Sequence, residues 1–194
     1  MVETGASASH TGKLLKYEEC YNELENLLKK LPSTATEQQK QKLLCEVLDR
    51  AFKETWNFVG FYDLRPEVHP NKLFIGEFVS ALVFPCGEIE IGKGQCGQCV
   101  SEERVMIAYD VSKLENYIAC DDDTQSEIVV PCFVTVDEED DEEAFMGESG
   151  GTGGSKKRKV RKLRTVLDID STRVGNFDEE DQRGLEKIIT LIYH

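Results

Sequence analysis

Five of the seven cysteines of this chain, Cys86, Cys96, Cys99, Cys120 and Cys132, fall outside its two N-terminal helical patterns. Thiols can attack an electrophile, exchange disulfides or ligate a metal, and their spacing separates these uses. Cys96 and Cys99 form a CxxC pair in "GKGQCGQCVSEER" (92–104). A thioredoxin-like site would place that pair directly after a strand of a βαβ unit, whereas here it lies in a Gly-rich loop leading into a short helix. A zinc site would want paired CxxC units, or CxxC with HxxxH. There is one CxxC, and the histidines His10, His69 and His194 are scattered. Zinc through Cys86, Cys96, Cys99 and Cys120 therefore stays open but is unsupported by spacing. A second feature is "VLDIDS" (166–171), where Asp168 and Asp170 are two apart on a predicted strand and share one face. Such a pair serves either a site or a solvent-facing strand end.

The elements that must carry these residues are read from periodicity. Residues 13–31 place Leu14, Tyr17, Tyr21, Leu24, Leu27, Leu28 and Leu31 at helical spacing, and Pro32 and Ser33 stop that helix. A second helix runs from about Thr36 to Lys53 on a stripe of Leu43, Leu44, Val47, Leu48 and Phe52. Cys20 and Cys45 on these helices read as small core or boundary residues. Strands follow at 57–65, 72–84, 104–110, 127–136 and 160–170, each rich in aromatic or β-branched residues. A closing helix covers 177–194, with Asp178 as N-cap, Asp181 three residues later and Leu185, Ile188, Ile189 and Ile192 as its apolar face. Helices at the chain ends around antiparallel strands read as α+β.

Composition narrows the function classes. A formal net charge of −14 argues against general nucleic-acid binding and favours a ligand with a cationic group. No apolar run approaches a membrane span, and "MVETGASASHTGK" has neither a signal-peptide core nor a myristoylation glycine. Residues 1–12 read as a disordered lead and 13–194 as one domain. A cytoplasmic location with reduced thiols is the expectation. At about 137–160 the domain carries an insertion: seven acids (137–143), a Gly/Ser linker composition (147–155) and a basic run (156–164). It reads as a long solvated hairpin loop with arms of opposite charge. KKRKV (156–160) also fits a nuclear-localisation patch, although the basic run continues into a strand and can line its solvent edge.

Several linked motifs resemble the free methionine-(R)-sulfoxide reductase family, built on a GAF domain. They are the NxxGFY strand (Asn57, Gly60, Phe61, Tyr62), Cys86 and Cys96 in a Cys-x9-Cys-Gly pair, the IACD-x4-SEIV segment (118–129) and the LDIDS strand. Together they span about residues 57–193. The resemblance implies a GAF-like central antiparallel sheet flanked by N- and C-terminal helices. It implies that Cys120 attacks the sulfoxide sulfur and becomes a sulfenic acid, that Cys86 resolves it as a disulfide, and that Cys96 is a further redox cysteine. Glu127, Asp168, Asp170, Tyr62, Phe58 and Ile118 are then the substrate pocket. Clustered carboxylates raise one another's pKa, so one can stay protonated as an acid while others hold the ammonium of a free amino acid. A closed pocket reading that ammonium rejects peptide-bound sulfoxide. Thioredoxin is the implied reductant and a homodimer the implied assembly, with no cofactor, metal, nucleic acid or membrane.

Departures accompany the resemblance. Phe58 stands where the family usually has Trp, and Trp56, two residues away, is expected to face the same side. Cys99 stands where a small residue is expected, and Cys132 reads as a core residue. Asp121, Asp122 and Asp123 follow Cys120, and negative neighbours disfavour a thiolate. The competing reading is a non-catalytic GAF module that binds a small molecule. The absence of an effector domain within these residues, and the retention of three cysteines and three carboxylates, favour the enzyme. A zinc-binding adaptor is the weaker third reading.

Overall fold

Apolar stripes at helical spacing form the first layer. The computed structural model describes residues 5–80, 85–115, 117–118, 120–139 and 157–193. Helix α1 (Gly5–Leu28) is longer than its stripe requires. It begins eight residues before Lys13, within the stretch expected to be a disordered lead. Residues 5–12 contain Ala and no Pro, so they continue a helix whose polar composition leaves no periodicity to read. Helix α2 (Glu37–Phe52) starts with a capping box: Thr36 Oγ1 accepts from Gln39 N, and Gln39 Oε1 accepts from Thr36 N. Helix α4 (Glu179–Ile189) has the expected Asp178–Asp181 capping box. Buried Asp181 also accepts from Tyr17 Oη (2.7 Å) and from Lys13 Nζ, which ties α1 to α4.

The strands are β1 (Trp56–Leu64), β2 (Lys72–Ser80), β3 (Glu88–Glu90), β4 (Met106–Ala108), β5 (Ser126–Glu139) and β6 (Lys157–Ser171). They form one six-stranded sheet in the order β3-β2-β1-β6-β5-β4, with every neighbouring pair antiparallel. The architecture is the expected α+β, a central antiparallel sheet flanked by the terminal helices. Helices α1, α2 and α4 cover one face over Leu44, Leu48, Val59, Phe61, Leu167 and Ile169. The short helix α3 (Gly94–Glu102) covers the other, with Phe58, Tyr62, Cys96, Cys99 and Val166 between. Cys20, Cys45 and Cys132 are buried in the helix-side core.

The strand limits add detail to the expected order. Edge strand β3 is too short and too charged to carry a readable apolar pattern. Residues 81–84, expected as the end of the second strand, lie outside the described residues. Within the insertion at about 137–160, β5 runs on to Glu139 and β6 begins at Lys157, while 140–156 lie outside the described residues. Asp137, Glu138 and Glu139 stand opposite Lys159, Arg158 and Lys157, so opposite charges meet across the ladder. Lys157–Val160 of the basic patch are therefore strand residues, and Lys156 falls outside the description.

The rings of Trp56 and Phe58 lie on opposite faces of the sheet, contrary to their spacing. The β1–β6 register shifts between them, which makes Asn57 the extra residue of a bulge. Trp56 turns to the helix side and stacks on Phe52 (ring centroids 4.1 Å), while Phe58 faces the other side.

Candidate active site

Strand alternation places the chemistry. On β6, Val166, Asp168 and Asp170 face α3, while Leu167 and Ile169 face the helices. On β5, Glu127 stands opposite Asp170 and diagonal to Asp168. On β1, Phe58, Gly60 and Tyr62 share that face. Together they floor a recess that opens to solvent. Cys96 and Gln95, from the first turn of α3, and Tyr117, Ile118 and Cys120, from the loop before β5, close it.

Two glycines make the close approaches. A Cβ on Gly60 would lie 2.5 Å from the Phe58 ring and 2.7 Å from Phe78 Cβ. A Cβ on Gly97, between the two cysteines of the CxxC, would lie 2.4 Å from Glu90 O. Gly97 thus lets α3 rest directly on β3, which fixes Cys96 at the pocket.

Cys86 and Cys120 form a disulfide with Cα atoms 5.4 Å apart. Cys96 and Cys99 are free and buried. Cys96 lines the pocket, while Cys99 packs under α3 with Sγ 3.8 Å from Val129 O. Burial, then Asp168 and Glu127, push the Cys96 thiol well above its usual range.

Glu127, Asp168 and Asp170 are each under 9% exposed. Burial, then the charges of Asp168 and Asp170, pushes Glu127 well above the usual carboxylate range. Burial raises Asp168 too, but only to about 7, because the Cys96 thiol and the Glu127 carboxyl hydrogen-bond to it. Cys96, Glu127 and Asp168 are thus one hydrogen-bonded cluster in which burial favours the protonated acids. Asp170 is raised by burial, then by Asp168 and Asp121. Among the described residues, Oδ1 of Asp168 and Oδ1 of Asp170 are buried without a hydrogen-bond partner. Unsatisfied acceptors of this kind call for a donor or a cation from a ligand.

The acidic run after Cys120 is largely directed away. Asp121 is held by Asn57 Nδ2 (2.7 Å) and the Asp123 amide (3.0 Å), and Asp122 and Asp123 are exposed. Asn57 Nδ2 also reaches Thr124 Oγ1 (3.1 Å), so the β1 bulge staples the loop that carries Cys120.

All the residues expected at the substrate pocket (Phe58, Tyr62, Ile118, Glu127, Asp168, Asp170) come together here, with Cys96 and Cys120. Gln95 and Tyr117 also line the recess and were not anticipated. Burial, then Asp170 and Glu127, raises the Tyr117 phenol above its usual value. Its place three residues before Cys120 was the available signal. One thiol and two carboxylates, from Cys96, Glu127 and Asp168, offer ligand atoms within 4.8 Å of one another.

No protein-family model matches the chain. Over 170 residues the chain is 30% identical to GAF domain-containing protein A of Dictyostelium discoideum, covering 87% of this chain and 89% of that protein. Over 136 residues it is 34% identical to the free methionine-R-sulfoxide reductase of Saccharomyces cerevisiae. That match covers 70% of this chain and 61% of the yeast protein, so the chain spans about three-fifths of that relative's length. The X-ray structure of free methionine-R-sulfoxide reductase from Neisseria meningitidis in complex with its substrate superposes with a TM-score of 0.70 at 25% identity. It covers 93% of this chain and 87% of that one.

Proposed function

The chain belongs to the free methionine-R-sulfoxide reductase family of GAF-domain proteins, and from that premise we propose that it reduces free L-methionine-(R)-sulfoxide to methionine. The observation that carries the reading is the Cys86–Cys120 disulfide, with Cys120 lining a recess floored by three buried carboxylates. A pocket that holds unsatisfied carboxylate oxygens suits an ammonium group. Gly94, Gln95 and Cys96 present the amino end of α3 to the same space, which suits the substrate carboxylate. Phe58 and Tyr62 offer an apolar wall for the thioether carbons. A peptide-bound sulfoxide has neither free terminus and loses both interactions.

In the reduced enzyme the Cys120 thiolate attacks the sulfoxide sulfur. The carboxyl cluster protonates the oxygen, which transfers to Cys120 as methionine leaves, so sulfur is reduced and Cys120 becomes a sulfenic acid. The Cys86 thiol then displaces that hydroxyl as water and forms the disulfide. Two thiols thus supply the two electrons for each sulfoxide. An external dithiol, with thioredoxin as the expected one, restores them. The neutral Glu127 carboxyl suits the acid role and Asp168, ionised from about pH 7, suits the ammonium.

The test is a single turnover without reductant. Pre-reduced protein mixed with free methionine-(R)-sulfoxide should release one methionine per chain and acquire the Cys86–Cys120 bond by peptide mapping. Retained thiols and no methionine would reject the reading in favour of a ligand-binding GAF module.

A further inference from the structure

We infer that the pocket is also a binding site for one divalent cation of zinc-like chemistry, held by Cys96, Glu127 and Asp168. Their ligand atoms, one sulfur and two carboxylate oxygens, all lie within 4.8 Å of one another, and all three residues are buried. Zinc takes mixed sulfur and oxygen donors at about 2.3 and 2.1 Å, so small side-chain rotations close this set around one ion. The thiol selects against calcium and magnesium, which prefer oxygen ligands alone.

The donors come from α3, β5 and β6, and pairing within the sheet preforms two of the three positions. A second observation points independently to a cation. Among the described residues, Oδ1 of Asp168 and Oδ1 of Asp170 are buried without partners, on side chains more than nine-tenths buried. An ion on Asp168 answers the first. A water in the ion's fourth position could donate to Asp170 and answer the second, as an outer partner does in many metal sites. Binding displaces protons from Cys96 and Glu127, and the ion's charge offsets the burial of these acids. The consequence, but not the binding, rests on the reductase reading: the ion takes the place of the substrate ammonium and blocks the pocket.

The test is a titration of cobalt(II), a spectroscopic stand-in for zinc, into the full chain, reduced, stripped of metal and kept anaerobic. The expected result is a thiolate-to-cobalt band in the near ultraviolet that saturates at one ion per chain and disappears when zinc is added. The band should vanish in Cys96→Ser, weaken in Glu127→Gln and Asp168→Asn, and persist in Cys99→Ser, Cys132→Ser and Cys120→Ser. Circular dichroism identifies any variant that fails to fold, and the two carboxamide variants keep the assignment testable if Cys96→Ser is one. A natively folded wild type without the band, or a band that survives Cys96→Ser, overturns the inference. Because no turnover is read, a chain that reduces sulfoxide but gives no band refutes the metal site alone. A chain that gives the band without turnover supports the site and refutes only the reductase reading.

Discussion

At the scale of single residues, the disulfide and the carboxyl cluster divide the work. Cys120→Ser should abolish reduction, because it removes the attacking thiol, while the other thiol at the recess, Cys96, is buried and held well above its usual pKa range by burial, Asp168 and Glu127. Cys86→Ser should leave one stoichiometric turnover without recycling, read as methionine released per chain with and without thioredoxin. Cys99→Ser should turn over near the wild-type rate, since Cys99 packs under α3 and does not line the pocket. Asp168 carries a stability consequence. Folded, it holds its proton up to about pH 7; unfolded, it loses it near 3.9. Between those values the folded chain binds more protons, so the stability contributed at this position falls as pH rises from about 4 to about 7 and then levels. Asp168→Asn does not ionise. Its urea midpoint should match wild type near pH 4 and exceed it progressively up to about pH 7, while reductase activity is lost. Equal midpoints at every pH would refute this account of the buried acid.

At the scale of elements, α3 and the β1 bulge set the geometry. Gly97→Ala pushes a Cβ against the Glu90 carbonyl, which is backbone and cannot rotate away. The cost of such overpacking is on the order of 1–3 kcal/mol, read by thermal or urea unfolding. Because α3 must lift off β3, kcat/KM should fall as well. The closing helix, its Asp178 N-cap and most strands were legible in the sequence, since each rests on local periodicity or a capping signal. The Trp56–Phe58 inversion was not, because a bulge is set by the pairing of β1 with β6, which no local pattern records. Strand β3 and the outer parts of β5 and β6 were missed for a related reason. Their charged residues are held by cross-strand partners rather than by apolar alternation.

At the scale of the whole molecule, one sheet keeps two cores apart. The helix side supplies stability through Leu24, Leu44, Leu48, Phe61, Leu167 and Leu185, all fully buried. That leaves the opposite side free to bury three acids and a thiol, which cost stability. The site was legible as a set of residue types only through motifs linked in the right order. The convergence of Cys96, Glu127 and Asp168 depends on packing between elements far apart in sequence. The most direct test of the central claim is NADPH consumption in a thioredoxin-coupled assay, with free methionine-(R)-sulfoxide, the free (S) epimer and a peptide-bound sulfoxide run in parallel. The account predicts turnover of the free (R) epimer alone. Turnover of the peptide-bound sulfoxide, or of none of the three with thiols reduced and thioredoxin active, would contradict it.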